Sequence, residues 1–119
     1  MSESDSLKRI VAPFVIHGIC KDEAEALRML ARDYVERQVR RYHKRAEHFR
    51  SLHQTTVEHF SQQVVALCQG SERIPELSHL DRREQILRAE DDLEEWAAAE
   101  EFLARWQAVE ADLLDASAA

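Results

Sequence analysis

The sequence predicts an all-α protein, because residues that break helices are rare and apolar residues recur at helical spacing. Only two Gly and two Pro occur among 119 residues. Over two long stretches, apolar residues return every three to four positions, which is the spacing of one face of an α-helix. We therefore predict a helical bundle of two long helices, at about 21–52 and 80–114, and two short ones.

A short first helix is predicted over residues 7–17, where apolar residues are helically spaced. Pro13 lies inside it and is expected to bend it, because proline removes one backbone hydrogen bond. Gly18 follows, and we expect it to take the left-handed conformation that commonly ends a helix. Residues 1–6 are polar and are expected to be disordered.

The first long helix carries an apolar stripe along one face and a basic patch on its second half. Asp22, Glu23 and Glu25 lie at its start, where acidic side chains interact favourably with the positive end of the helix dipole. From Arg37 to Arg50 there are six basic residues and one acid, Glu47, a balance of +5. The stripe comprises Ala24, Leu27, Ala31, Val35, Val39, Tyr42, Ala46 and Phe49.

The second short helix is predicted from Thr56 to Cys68, with a capping box at Thr55-Thr56-Val57-Glu58 and a stop at Gly70. Its predicted buried residues are Val57, Phe60, Val64 and Leu67. Ser78 is a candidate cap for the last long helix, which carries on one face Ile86, Ala89, Leu93, Trp96, Ala99, Leu103, Trp106, Val109 and Leu113. Residues 7–114 are predicted to form a single helical domain, and residues 115–119 to fray.

Charge is unevenly distributed in a chain whose net charge is −7. From Glu84 to Asp115 there are eleven acids and two Arg, a balance of −9. The acidic end and the basic middle have two interpretations. Either the two faces neutralise one another across a helix pair, or one of them meets a partner of opposite charge.

Several classes of protein are disfavoured by what the sequence lacks. Cys20 and Cys68 belong to no CxxC or Cys/His cluster, and no run approaches the ~20 apolar residues that span a bilayer, so we expect reduced thiols and a cytoplasmic location. Four histidines, His43, His48, His53 and His59, lie close together in the sequence, but their spacing does not match a helical metal site. We predict no metal and no cofactor.

The basic half of the first long helix suggests two alternative functions. Its phosphate-binding candidates are Arg37, Arg40, Arg41, Lys44 and Arg45, which would suit a helical DNA-binding regulator. Arg37 with His43, or Arg41 with His48, also approximates the Arg/His pair of HEPN-type ribonucleases, in which the His acts in acid–base cleavage. Such pairs arise by chance in a segment this rich in Arg and His, so we predict no enzymatic activity.

Three motifs resemble those of small all-helical prokaryotic antitoxins of type II toxin–antitoxin pairs. The turn and helix start from Gly18 to Leu27 is also similar to the second helix of ribbon-helix-helix repressors, with Asp22 in the place of a capping Ser. The stretch Phe49 to Phe60 resembles a Phe-x-x-x-Tyr-Gly-Met-Ser-x-Glu-x-Phe joint, in which Gln54 replaces the Gly. Asp91-Asp92-Leu93-Glu94-Glu95-Trp96-Ala97-Ala98 resembles the C-terminal motif.

The resemblance implies an antitoxin that neutralises a small, basic toxin. The acidic C-terminal helix would lie along the toxin, and its candidate partner-binding residues are Asp91, Asp92, Glu95, Trp96, Phe102 and Trp106. The first two helices would dimerise and touch operator DNA. A homodimer is also expected from the helices themselves, since thirty residues span roughly 45 Å, longer than a monomeric globule of this size needs.

Overall fold

A computed structural model describes residues 3–71 and 73–118, and within them the all-α prediction is confirmed. The helices are α1 (Glu3–Ile16), α2 (Glu23–His53), α3 (Val57–Cys68) and α4 (Arg82–Ala118), with a short 3-10 helix at Pro75–Leu77 between α3 and α4. No described residue lies in a strand. The two long helices occupy the regions that the apolar spacing predicts.

The chain forms two compact units, each with its own core. The terminal unit comprises the residues up to Arg37 together with those from Val109 onward, and the central unit comprises Gln38–Ala108. Both α2 and α4 contribute residues to each unit. The single domain expected over residues 7–114 stays a prediction.

The core of the central unit is formed by one face each of α2, α3 and α4. Trp96 and Phe60 are fully buried at its centre, where each large apolar side chain contributes about 2–3 kcal/mol. The buried members of this core are Ala46, Phe49, Phe60, Val64, Leu67, Ile74, Leu77, Ala89, Trp96 and Ala99. The predicted inner faces of α3 and of this part of α4 are therefore confirmed.

The core of the terminal unit is small and differs from the predicted stripe. It contains Val11, Cys20 and Ala26, with Phe14 and Leu30 packed against them. Ala24 and Leu27, which begin the predicted apolar stripe, are both exposed and lie outside this core. The reason is that α1 packs on the side of α2 that carries Ala26 and Leu30.

The turn between α1 and α2 has the predicted form. Gly18 has a φ of +73°, and the N–H groups of Ile19 and Cys20 both donate to the carbonyl of Phe14 at 2.9 Å. Asp22 caps α2, since its Oδ1 accepts from the N–H of Glu25 at 2.8 Å. This hydrogen bond satisfies one of the backbone donors that the first turn of a helix leaves free.

The residues that cap the N-termini of α3 and α4 differ from the predicted ones, by one position for α3 and by three positions for α4. The Oγ1 of Thr56, not of Thr55, accepts from the N–H of His59 at the start of α3. Asp81, not Ser78, caps α4 by accepting from the N–H of Glu84 at 2.9 Å. Ser78 instead follows the 3-10 helix, where its N–H donates to the carbonyl of Pro75.

The helix ends also differ from the predicted limits. α1 begins at Glu3, ahead of the predicted start at Leu7, and it continues through Pro13. α4 extends to Ala118, beyond the predicted fraying point at Asp115. The predictions for residues 1–2 and 119 fall outside the described residues.

Candidate functional site

In the central unit the basic face of α2 lies against acidic residues of α4. The guanidinium of Arg45 is 3.3 Å from the carboxylate of Glu95, and that of Arg50 is 2.9 Å from the carboxylate of Glu100. Part of the charge asymmetry in the sequence is thus neutralised between the two helices. Because these side chains are mostly half-exposed, each pair contributes little, about 0–1 kcal/mol.

A groove of about 780 Å³ runs along this part of the central unit. Its basic residues come mainly from α2 and its acids from α4, while Phe49 and Leu52 supply apolar surface. It is lined by Arg41, Lys44, Arg45, His48, Phe49, Leu52, Arg88, Asp91, Asp92 and Glu95. Residues that the sequence assigned to two different surfaces, one for nucleic acid and one for a protein partner, therefore share a single groove.

The five phosphate-binding candidates are not all equivalent in the structure. Arg41, Lys44 and Arg45 line the groove, whereas Arg37 belongs to the terminal unit and pairs with Asp33 on its own helix at 3.0 Å. Arg40 is exposed and does not line the groove. The guanidinium of Arg41 lies over the ring of Tyr42, 5.6 Å from its centroid.

Trp96, predicted as a partner anchor, is a core residue. None of its surface is exposed, and its ring stacks on that of Phe49. The centroid of the same ring lies 5.5 Å from the ring centroid of Phe60. Its Nε1 donates to Glu100. A partner cannot reach Trp96 in this structure, so the prediction of an accessible anchor at this position is wrong. The period of α4 places Trp96 on the inner face, where apolar burial outweighs exposure.

Phe102 and Asp91 remain accessible, whereas Asp92 is turned inward. Phe102 is 40% exposed and stacks on Tyr42, with a distance of 5.4 Å between ring centroids. Asp91 is exposed, and Trp106 is half-buried. The carboxylate of Asp92 is only 14% exposed, because it binds His53. Asp92 therefore serves the fold rather than an outer surface.

His53 is held between two carboxylates. Its Nδ1 lies 2.9 Å from the Oε2 of Glu76, and its Nε2 lies 3.0 Å from the Oδ2 of Asp92. Its side chain has no exposed surface, and the ring stacks on Phe60 at 4.0 Å between centroids. Each ring nitrogen of His53 is thus within hydrogen-bond distance of one carboxylate oxygen, so the ring bridges Glu76 and Asp92.

This contact is not apparent in the sequence, where His53 stands close to three other histidines and just beyond the predicted end of α2 at Leu52. The structure separates them: His43, His48 and His59 are exposed. The available signal was spacing, since His53 follows Phe49 by four positions and so continues the buried stripe of α2. Its two carboxylate partners are 23 and 39 residues away, and no local pattern reveals them.

The two thiols show no sign of catalytic activation. Cys20 is buried and Cys68 is exposed, and both are free. Loss of solvation raises the pKa of the Cys68 thiol, and its hydrogen bond to Glu90 raises that pKa further. Loss of solvation also raises the pKa of Cys20. Protonated thiols are poor nucleophiles and poor metal ligands.

Among the described residues, no group of three or more His, Cys, Asp or Glu side chains is arranged to hold a metal ion. Across the same residues, no helix combines the length and the apolar character that crossing a membrane requires. Comparisons of the chain with protein-family models, curated proteins and solved structures give no match.

Proposed function

We propose that this chain is a protein-interaction module without enzymatic activity, and that it acts as the antitoxin of a two-component pair. In this proposal the outer face of α4 in the central unit binds a small, basic toxin. The observation that carries the proposal is a row of exposed acidic side chains on this face, which have no ion-pair partner within the described residues.

The row follows the helical period of α4. Glu84, Leu87, Asp91 and Glu94 are separated by three, four and three positions, so they share one face, and all four are exposed. Leu87 is 54% exposed between the acids. Acidic side chains of this kind steer a basic partner and accelerate its association, and an exposed leucine supplies apolar contact.

The inner face of the same helix gives this row a rigid base. Ala89, Trp96 and Ala99 are buried in the core of the central unit. The outer side chains are therefore presented on a fixed element and not on a loop, which lowers the entropy that binding has to overcome. Of the predicted partner-binding residues, Asp91 lies on this outer face, whereas Asp92 and Trp96 lie on the inner side of α4.

Co-expression with the protein encoded by the adjacent open reading frame tests the proposal. The wild-type chain is expected to form a complex with that protein and to restore growth if the protein is toxic. Asp91→Lys combined with Glu94→Lys reverses the charge of the row and is expected to slow association by about tenfold at low salt. Glu58→Lys, on an exposed position of α3, is the control and should bind as the wild type does.

Two results would overturn the proposal. One is a toxic neighbouring protein that the wild-type chain does not bind. The other is a complex whose association rate is unchanged by the double reversal, since the row would then take no part in recognition.

A DNA-binding regulator is the second candidate, supported by the cations of the groove. Arg41, Lys44 and Arg88 line it without an ion-pair partner among the described residues. If these three bind phosphates, the logarithm of DNA affinity should fall with the logarithm of salt concentration with a slope of about −3. Arg41→Ala with Lys44→Ala should reduce that slope by about two. DNA affinity that does not depend on salt would exclude this candidate.

The remaining alternative, a HEPN-like ribonuclease, predicts cleavage of RNA that is lost in His43→Ala or His48→Ala. Arg41 and His48 line the same groove. They are two helical turns apart on α2, so their Cα atoms are about 10 Å from one another.

A further inference from the structure

Most of the large apolar side chains that the described residues expose lie in the terminal unit. Of the thirteen large apolar side chains that the described residues expose, nine belong to this unit. They are Leu7, Ile10, Ile16, Ile19, Leu27, Met29, Tyr34, Val109 and Leu114. Apolar surface that is concentrated in this way is typical of an interface with another protein.

On α2 the exposed apolar residues form a regular seam, which comprises Ala24, Leu27, Ala31 and Tyr34. The steps between them are three, four and three, as at the a and d positions of two heptads. Leu27 is 49% exposed and Tyr34 is 56% exposed, Ala24 is exposed, and Ala31 is half-buried. Because α1 packs on the side of Ala26, it leaves this seam open.

We propose that the seam packs against the same seam of a second copy of this chain, with the two α2 helices antiparallel. A two-fold axis near the middle of the seam places Ala24 opposite Tyr34 of the second copy and Leu27 opposite Ala31. Each large side chain then meets a small one, which is how close packing is reached. A parallel pair would instead place the two Tyr34 rings against each other and leave alanines facing alanines.

The charges beside the seam complement each other in the same arrangement. Glu23 and Arg37 occupy the g positions at its two ends, and an antiparallel pair brings Glu23 of one copy to Arg37 of the other, twice by symmetry. Arg37 now pairs with Asp33, but both side chains are more than half exposed, so this pair is weak and exchangeable. Leu30, also at a g position, is packed against the core of its own terminal unit. Arg28 lies beside its own copy on the other flank, where it is exposed to solvent that screens the repulsion.

This inference does not rest on the proposed function. The seam lies on α2 in the terminal unit, whereas the proposed toxin-binding row lies on α4 in the central unit. A dimer can therefore form whether or not a toxin is found, and each proposal can fail without the other.

Sedimentation of the full chain tests whether it pairs with a second copy. The wild type is expected to be a dimer, and Leu27→Glu with Tyr34→Glu is expected to raise the dimer dissociation constant at least about 100-fold, since two buried anchors are lost from each copy. Val65→Glu is the matched control, because Val65 on α3 is, like Tyr34, more than half exposed but lies outside the seam. A wild-type chain that is monomeric at every concentration overturns the proposal, as does a dimer that the double substitution leaves intact.

Disulfide cross-linking tests the orientation of the two α2 helices. In a background of Cys20→Ala and Cys68→Ala, a chain with Ala24→Cys is mixed with a chain with Tyr34→Cys. The antiparallel seam predicts cross-links between the two kinds of chain and none within either kind. Cross-links within each kind and none between them would show a parallel pair and overturn the proposal.

Charge exchange supplies an independent test of the same geometry. Glu23→Arg and Arg37→Glu are each expected to weaken the dimer, and the two together are expected to restore it, because the pairs between copies are re-formed with reversed sign. Additive weakening in the double variant would show that these residues do not meet.

Discussion

The Nε2 of His53 lies 3.0 Å from the Oδ2 of Asp92, and this contact joins the last turn of α2 to the first third of α4. Glu76 binds the other ring nitrogen from the 3-10 helix, so one imidazole holds three elements of the central unit together. The ring also completes the aromatic stack of the core, where it lies against Phe60 and Trp96.

Replacing His53 with Ala should destabilise the chain strongly. The substitution removes a buried ring that bridges two carboxylates and stacks on Phe60, and deleting a buried aromatic side chain costs about 3–5 kcal/mol. Urea unfolding followed by circular dichroism measures the free energy of unfolding. His59→Ala is the control, because His59 is exposed, and it should change that free energy by less than about 0.5 kcal/mol. Equal losses in the two variants would contradict the role given to His53.

Asp91 and Asp92 are neighbours with different expected roles. Asp92→Asn should lower the free energy of unfolding by about 1–2 kcal/mol, since it weakens a charged hydrogen bond to His53. Asp91→Asn removes the same charge from an exposed side chain and should change stability by less than about 0.5 kcal/mol. Urea unfolding of both variants makes the comparison. A stability loss for Asp91→Asn as large as that for Asp92→Asn would show that the two carboxylates do not have the different roles described here.

Trp96 should behave as a core residue in fluorescence. In a Trp106→Phe variant, the emission of Trp96 should be blue-shifted and almost insensitive to iodide, because none of its surface is exposed. Trp96→Ala should cost about 3–5 kcal/mol, as expected for deleting a buried aromatic side chain. Efficient iodide quenching of Trp96 in the folded chain would restore the idea that it is available to a partner.

Alkylation of Cys68 should be slow at neutral pH although the residue is exposed. Its raised pKa lowers the fraction of thiolate at any given pH, and only the thiolate reacts. The rate should therefore rise at a higher pH than it does for an ordinary cysteine. Glu90→Gln removes a carboxylate that destabilises the thiolate, so it should lower the pKa and accelerate alkylation by iodoacetamide, as measured by mass spectrometry.

The control for this experiment is Glu94→Gln, which removes a charge elsewhere on the exposed surface of α4. It should leave the alkylation rate of Cys68 unchanged. If the two substitutions have the same effect, the overall charge of the helix, and not the contact with Glu90, governs the thiol.

The positions of the helices could be predicted because apolar spacing is a local property. The inner faces of α3 and α4 follow directly from it, and Phe60 and Trp96 lie where the period places them. The start of α2 shows what apolar spacing alone does not predict. Ala24 and Leu27 fit the stripe as well as Val35 does, but spacing does not say which side of a helix a neighbouring helix will cover.

The contacts of the candidate site depend on pairings that are distant in the sequence. The pair of Arg45 with Glu95 spans fifty residues, and the sequence was equally consistent with two separate charged surfaces. The caps show a similar ambiguity over a short distance. Thr55 and Thr56 carry the same hydroxyl, so the one that caps α3 is decided by where α2 ends and not by residue type.

The way α4 is anchored has an evolutionary consequence. Its inner side chains hold the helix in the core of the central unit, while Glu84, Leu87, Asp91 and Glu94 take no part in that packing. Substitutions can therefore accumulate on the outer side with little effect on folding, and a lineage can acquire a new binding preference while it retains the same scaffold.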